Sequence, residues 1–123
     1  MRKQYHQIYV ESSNLFDFFD LNKITKNQYI PLKISDFYGW IFGAIGNLKR
    51  EIKEFREDGK QYIFLLEGDI EVKIASYPAF NTPYSSKFWM HISAKRLEDT
   101  IDVFDYIVFA VQEKIRELVK DPS

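Results

Sequence analysis

Two alternating apolar runs meet at a glycine in the middle of the chain, and no other feature constrains the fold as much. Tyr62, Phe64 and Leu66 recur at every second position, and so do Ile70, Val72 and Ile74. A period of two places each set on one face of an extended strand. Glu67-Gly68-Asp69 separates the runs. A three-residue loop there preserves parity and puts all six side chains on one side of a hairpin. A two-residue Gly68-Asp69 turn is the alternative, with glycine supplying a positive φ. Either way, the segment 62–77 reads as a hairpin with one apolar face that another layer must cover.

Further strands follow from the same period. Phe88, Met90, Ile92 and Ala94 alternate with Trp89, His91 and Ser93, so the first set claims an inner face and the second an outer one. Residues 5–10 are β-branched and aromatic and read as a short strand. Residues 29–34 read as extended, but Pro31 has no N–H, so they suit only a sheet edge. Between these, Asn14 offers a cap for one or two helical turns over 15–21, and 22–28 reads as loop.

Two helical patterns supply the cover. Phe37, Ile41, Ala44, Ile45, Leu48, Ile52 and Phe55 step by three and four, which predicts a helix from Ser35 to a stop at Gly59. Gly39, Gly43 and Gly46 weaken that pattern, and a start near Ala44 is the alternative. Their spacing predicts a smooth strip where another backbone packs closely. Phe104, Ile107, Val108, Val111, Ile115 and Leu118 form the stripe of a second helix, with Asp99 or Thr100 as its cap. Its acidic residues gather at the start and Lys114, Arg116 and Lys120 at the end, the order that the helix dipole favours. The expected fold is α+β: an antiparallel sheet of three to four strands with two long helices on one face, in the order β-α-β-β-β-α. Residues 1–123 read as one domain, a length sufficient to bury a core without staples.

Composition narrows the chemistry. The chain has no Cys, which excludes disulfides, thiol nucleophiles and thiolate metal sites. A formal net charge of −1 gives no overall field to attract nucleic acid or an anionic membrane. The apolar runs are far shorter than the ~20 residues of a membrane span, and the first residues carry no secretory pattern. A cytoplasmic protein is expected, and the AT-rich codon usage implied by abundant Lys, Ile, Phe, Tyr and Asn suits a low-GC bacterial or phage source.

The catalytic constellations are missing. His6 and His91 are the only histidines, too few and too far apart for a zinc site without Cys. The carboxylates at 67, 69 and 71 and at 98, 99, 102 and 105 fit no calcium loop, and the second group suits a helix start. The three glycines near 40 lie in an apolar stretch and not at a strand-to-helix turn, so they form no phosphate loop. No catalytic residue, metal ligand or cofactor is assigned. Helix, three strands, helix is also the order of the double-stranded-RNA-binding domain. There the second helix begins with basic residues, whereas here it begins Glu98-Asp99-Thr100-Ile101-Asp102, which repels phosphate. A basic strip of Lys49, Arg50, Lys53 and Arg56 is interleaved with Glu51, Glu54 and Glu57, the pattern of a solvated face.

Aromatic residues make up 17% of the chain, and one loop concentrates them among prolines: Tyr77-Pro78-Ala79-Phe80-Asn81-Thr82-Pro83-Tyr84. Rings supply contact area for few rotamers, and prolines reduce the entropy lost on ordering. Such a loop either caps the core or recognises a partner. The candidate binding residues are therefore Tyr77, Phe80 and Tyr84 of the loop, Trp89 and His91 of the next strand, and Glu67 and Asp69 at the hairpin tip. The expected function is non-enzymatic protein binding, in the manner of a small bacterial immunity protein or antitoxin that occludes a basic partner. A small-ligand domain or minor enzyme with an aromatic-lined pocket is the alternative, RNA binding is a third reading, and a homodimer through the glycine strip or an edge strand is compatible with the first two.

Overall fold

Side chains along the middle and last strands alternate between buried and accessible, and that alternation sets the architecture. The computed structural model describes residues 5–26, 28, 30–77 and 87–119. It contains β1 (His6–Ser12), α1 (Leu15–Phe18), α2 (Asn22–Thr25), α3 (Ile34–Gly46), β2 (Ile52–Asp58), β3 (Gln61–Leu66), β4 (Ile70–Tyr77), β5 (Lys87–Ala94) and α4 (Leu97–Val119). The strands form one antiparallel sheet in the order β1-β5-β4-β3-β2. Consecutive strands β2 to β5 are neighbours, and the N-terminal strand adds to the outside of β5.

Among the described residues the sheet thus has five strands, not three or four, and there is only one long helix. α4 has 23 residues and α3 has 13. α3 begins at Ile34 with Lys33, not Ser35, at the N-cap position, and stops at Gly46, well short of Gly59. Ile52 and Phe55 prolong the three-and-four stepping by coincidence. They belong to β2, an edge strand exposed at every position. Gly46 and Asn47 end the helix, with the Asn47 N–H bonding back to the Gly43 and Ala44 carbonyls. Gly59 instead turns the β2–β3 hairpin, at φ 63°, a conformation glycine adopts without steric penalty. The charges of β2 suit an edge, where they discourage pairing with another chain.

Residues 30–33 form no strand, in keeping with the donor that Pro31 lacks. Ile30 and Leu32 are buried nonetheless and anchor the chain before α3. Asn14 caps α1, its side chain accepting from the Asp17 N–H at 2.8 Å. α4 starts two residues ahead of the expected cap. Thr100 lies inside it, fully buried, its hydroxyl donating to the Leu97 carbonyl at 2.6 Å.

The β3–β4 hairpin has the three-residue loop. Leu66 pairs with Ile70, Phe64 with Val72 and Tyr62 with Ile74, all six on the face toward the helices. The same face of β5 presents Phe88, Met90, Ile92 and Ala94, each fully buried. α4 lays Val103, Ile107, Val111 and Ile115 on this surface, and α3 adds Phe37, Ile41, Ala44 and Ile45. Rings fill the corners. Phe18 meets Phe88 edge to face at 4.6 Å between centroids, and Phe42 meets Tyr62 at 5.2 Å and Phe64 at 5.4 Å. Polar bonds tie the layers together. Tyr38 Oη and Ser76 Oγ lie 2.7 Å apart, the Gln112 amide donates to the Phe19 carbonyl, and Arg50 meets Asp99 at 3.0 Å.

Among the described residues, the glycine strip does not pack against a neighbouring backbone. A Cβ built at Gly39, Gly43 or Gly46 would meet no atom within 4 Å. The close backbone contact expected there is absent among the described residues. No helix among the described residues is long and apolar enough to cross a membrane.

Candidate binding face

Among the described residues, all the helices lie on one side of the sheet, and the other side carries none. Its side chains come from the alternate positions of every strand and fall into three rows. The first is Gln7, Ser93, Glu71, Leu65 and Glu54. The second is Tyr9, His91, Lys73, Ile63 and Arg56. The third is Glu11, Trp89, Ala75, Gln61 and Asp58. Ile63 and Ala75 are buried, and the others are at least partly accessible.

The β1 end of this face is aromatic. The Tyr9 ring lies 5.9 Å from that of Trp89 and 6.4 Å from His91. Tyr9 is the most open of the three, at 56%. Tyr77 continues the face at the end of β4 and is 43% exposed. Trp89 and His91 stand on the outer side because Phe88, Met90 and Ile92 occupy the inner one, as the period of two requires.

A polar network holds these rings in place. The Tyr9 hydroxyl donates to Glu11 Oε2 at 2.6 Å, and Lys87 reaches Glu11 at 2.9 Å. The Tyr9 bond, followed by Lys87, lowers the pKa of Glu11, and the same bond raises that of Tyr9, which holds its proton more tightly. His91 Nε2 lies 3.0 Å from Gln7 Oε1, so a neutral ring protonated at Nε2 donates to the amide oxygen. Partial burial, and then the nearby Lys73 ammonium, push the His91 pKa down, with Glu71 opposing. Burial and Lys73 thus favour the neutral ring.

The acidic hairpin tip is a separate feature. Asp69 pairs with Lys95 at 2.7 Å, and Glu71 with Lys73 at 3.5 Å. Asp69 and Glu71 border a depression of ≈ 280 Å³ with Tyr5, Leu65 and Ser93, which joins the tip to the first row of the open face. Glu67 is exposed, and its N–H is taken by the Glu51 carbonyl.

The structure therefore brings together Tyr77, Trp89 and His91 on one surface and places Asp69 at its margin, with Glu67 on the tip beyond. Phe80 and Tyr84 lie outside the described residues. Sequence reasoning missed Tyr9, Lys73 and Gln7. Tyr9 shows the same alternation as Trp89 and His91, but its place beside them depends on the β1–β5 pairing, which joins segments far apart in the chain.

Among the described residues, no group of three or more His, Asp or Glu side chains is placed to hold a metal ion. His91, Glu11, Glu71 and Lys73 are each tied to a neighbour on this face. No nucleophile and base are aligned across it among the described residues. No protein-family model matches the sequence, and a search of curated proteins finds no relative, so the function rests on the geometry of this surface.

Proposed function

We propose that the domain binds another protein through the uncovered face of its sheet and acts by occlusion rather than by catalysis. The observation that carries this reading is the contiguous Tyr9, Trp89 and His91 cluster, held on a rigid sheet with no described helix over it. Tyr and Trp are among the residues most enriched at the energetic centres of protein interfaces. Strands hold them in place, so little conformational entropy is lost on binding.

The charge pattern favours a protein over a nucleic acid. Glu11, Glu54, Asp58 and Glu71 alternate on this face with Lys73, Lys87 and Arg56. Such a surface offers no continuous positive track for phosphates. It suits a partner surface of mixed polarity, and the acidic tip at Glu67 and Asp69 adds a margin suited to a basic partner. An inhibitor of the immunity or antitoxin kind, which masks a partner's working surface, has these properties and requires no active site of its own.

Affinity capture from a lysate of the source organism tests the reading. The unmodified chain should retain one protein in stoichiometric amount. The Tyr9→Ala/Trp89→Ala chain should lose it, while Phe109→Ala, an exposed change on the outside of α4, should keep it. Equal retention by all three chains would refute the assignment of the face.

A further inference from the structure

The helical layer carries a feature that the sheet face does not share. α2 and the last turn of α4 border an open pocket of ≈ 470 Å³, lined by Lys23, Ile24, Lys26, Arg116 and Val119. Among the described residues that line it, three are cationic and none is acidic, on a chain whose net charge is −1. The pocket has the size of a small-molecule site. Ile24 and Val119 are partly buried and pack against the core, which gives it an apolar floor.

Among the described residues the cations have only surface partners. Lys23 reaches Asp20 at 3.5 Å, but both side chains are largely exposed. Arg116 pairs with Glu113 one turn away on the same helix, again at the surface. Exposed pairs of this kind are weak and are readily exchanged for another anion. Lys26 stands at the C-cap of α2 with φ 50°, where the chain turns sharply and brings it beside Lys23 on the pocket wall. A guanidinium offers paired donors that match a carboxylate or phosphate edge, and the two ammonium groups add charge around it.

We propose that this pocket binds an organic anion bearing a short aliphatic portion. The anionic head lies among Lys23, Lys26 and Arg116, and the aliphatic part lies on Ile24 and Val119. An inorganic anion would leave the floor uncovered, and a neutral aliphatic molecule would leave the cations unanswered. The site is independent of the sheet face, which lies on the opposite side of the sheet from the helices.

Octanoate is the probe. Titrated into the full chain and followed by amide shifts, it should saturate one site and move residues 23–26 and 116–119. Inorganic phosphate and 1-octanol should each bind at least ~10-fold more weakly, since each supplies half of the recognition. Lys26→Glu and Arg116→Glu should each weaken octanoate ~10-fold or more by reversing a contact charge, with the unliganded melting temperature as the control for folding. Trp89→Ala should leave octanoate binding unchanged. Octanol or phosphate binding as tightly as octanoate, shifts centred on Tyr9 and Trp89, or no saturable octanoate binding would overturn the proposal. The comparison of the three probes is made on the unmodified chain, so its outcome does not depend on the variants folding.

Discussion

The two faces of the sheet are built from the same strands and meet opposite fates. On β5, Phe88, Met90, Ile92 and Ala94 are fully buried, while Trp89, His91 and Ser93 between them remain accessible. One residue of register separates the two sets. The inner set is apolar and packs against α4 and α1, so its identity is dictated by packing. The outer set is aromatic and polar: Trp89 rests against the Tyr9 ring, His91 bonds to Gln7, and no described helix packs over them. Large rings on an open, rigid face that the fold does not require are better candidates for function than the rings of the core.

The sharpest way to break this comparison is to truncate adjacent residues on the two faces. Ile92→Ala should lower unfolding stability by about 2–5 kcal/mol, as buried large-to-small changes do. His91→Ala, one position away, should change it by less than ~1 kcal/mol. Chemical denaturation of the two variants measures both. Similar losses would mean that the open face is covered after all.

Binding should invert the ranking. Trp89→Ala should weaken capture of the partner by at least ~30-fold, roughly the 2 kcal/mol of an interface hot spot, with little loss of stability. Titration of the variant against the isolated partner gives the number. An unchanged affinity would move the contact surface away from β5.

A smaller effect concerns the helical side. Gly43→Ala should raise stability by about 0.5–1 kcal/mol, because the position is helical, exposed and open around the missing Cβ. Thermal melts at several protein concentrations check it. A concentration-dependent loss of stability would instead show that a second copy packs on the glycine strip.

The smallest effect is in the response to pH. The folded state lowers the His91 pKa below its ordinary value of 6.5, so the unfolded chain binds that proton more readily. Stability should therefore fall as pH drops through the range just below 6.5 and level off above it. Lys73, Glu71 and Tyr9 face the ring from the neighbouring strands, and Gln7 accepts from it. Urea midpoints of the unmodified chain and of His91→Gln, compared at about pH 5 and pH 8, isolate the His91 contribution. Identical pH dependence in the two would contradict it.

How much of this could be read from the sequence depended on where each side chain's partners lie. The β3–β4 hairpin and β5 were legible because half-buried strands impose a period of two, and α4 because its stripe holds one face along most of its length. β2 was not. An exposed edge strand has no inner face to impose alternation, and Leu48, Ile52 and Phe55 happen to continue the stepping of α3. The outer placement of Trp89 and His91 followed from parity alone. The completion of their cluster by Tyr9 did not, since strand pairing across most of the chain leaves no local signature. Tyr77 stands out in the sequence as the start of an aromatic loop, and the structure places it on the same face at the end of β4.

Side-chain hydroxyl-radical footprinting, with and without the captured partner, tests the central claim most directly, because it reports both surfaces of one molecule in one experiment. Tyr9, Trp89 and His91 should lose reactivity when the partner binds, while the exposed rings Tyr106 and Phe109 of α4 keep theirs. Protection of Tyr106 and Phe109 with Tyr9 and Trp89 unchanged would contradict the claim, and would place the working surface on the helices.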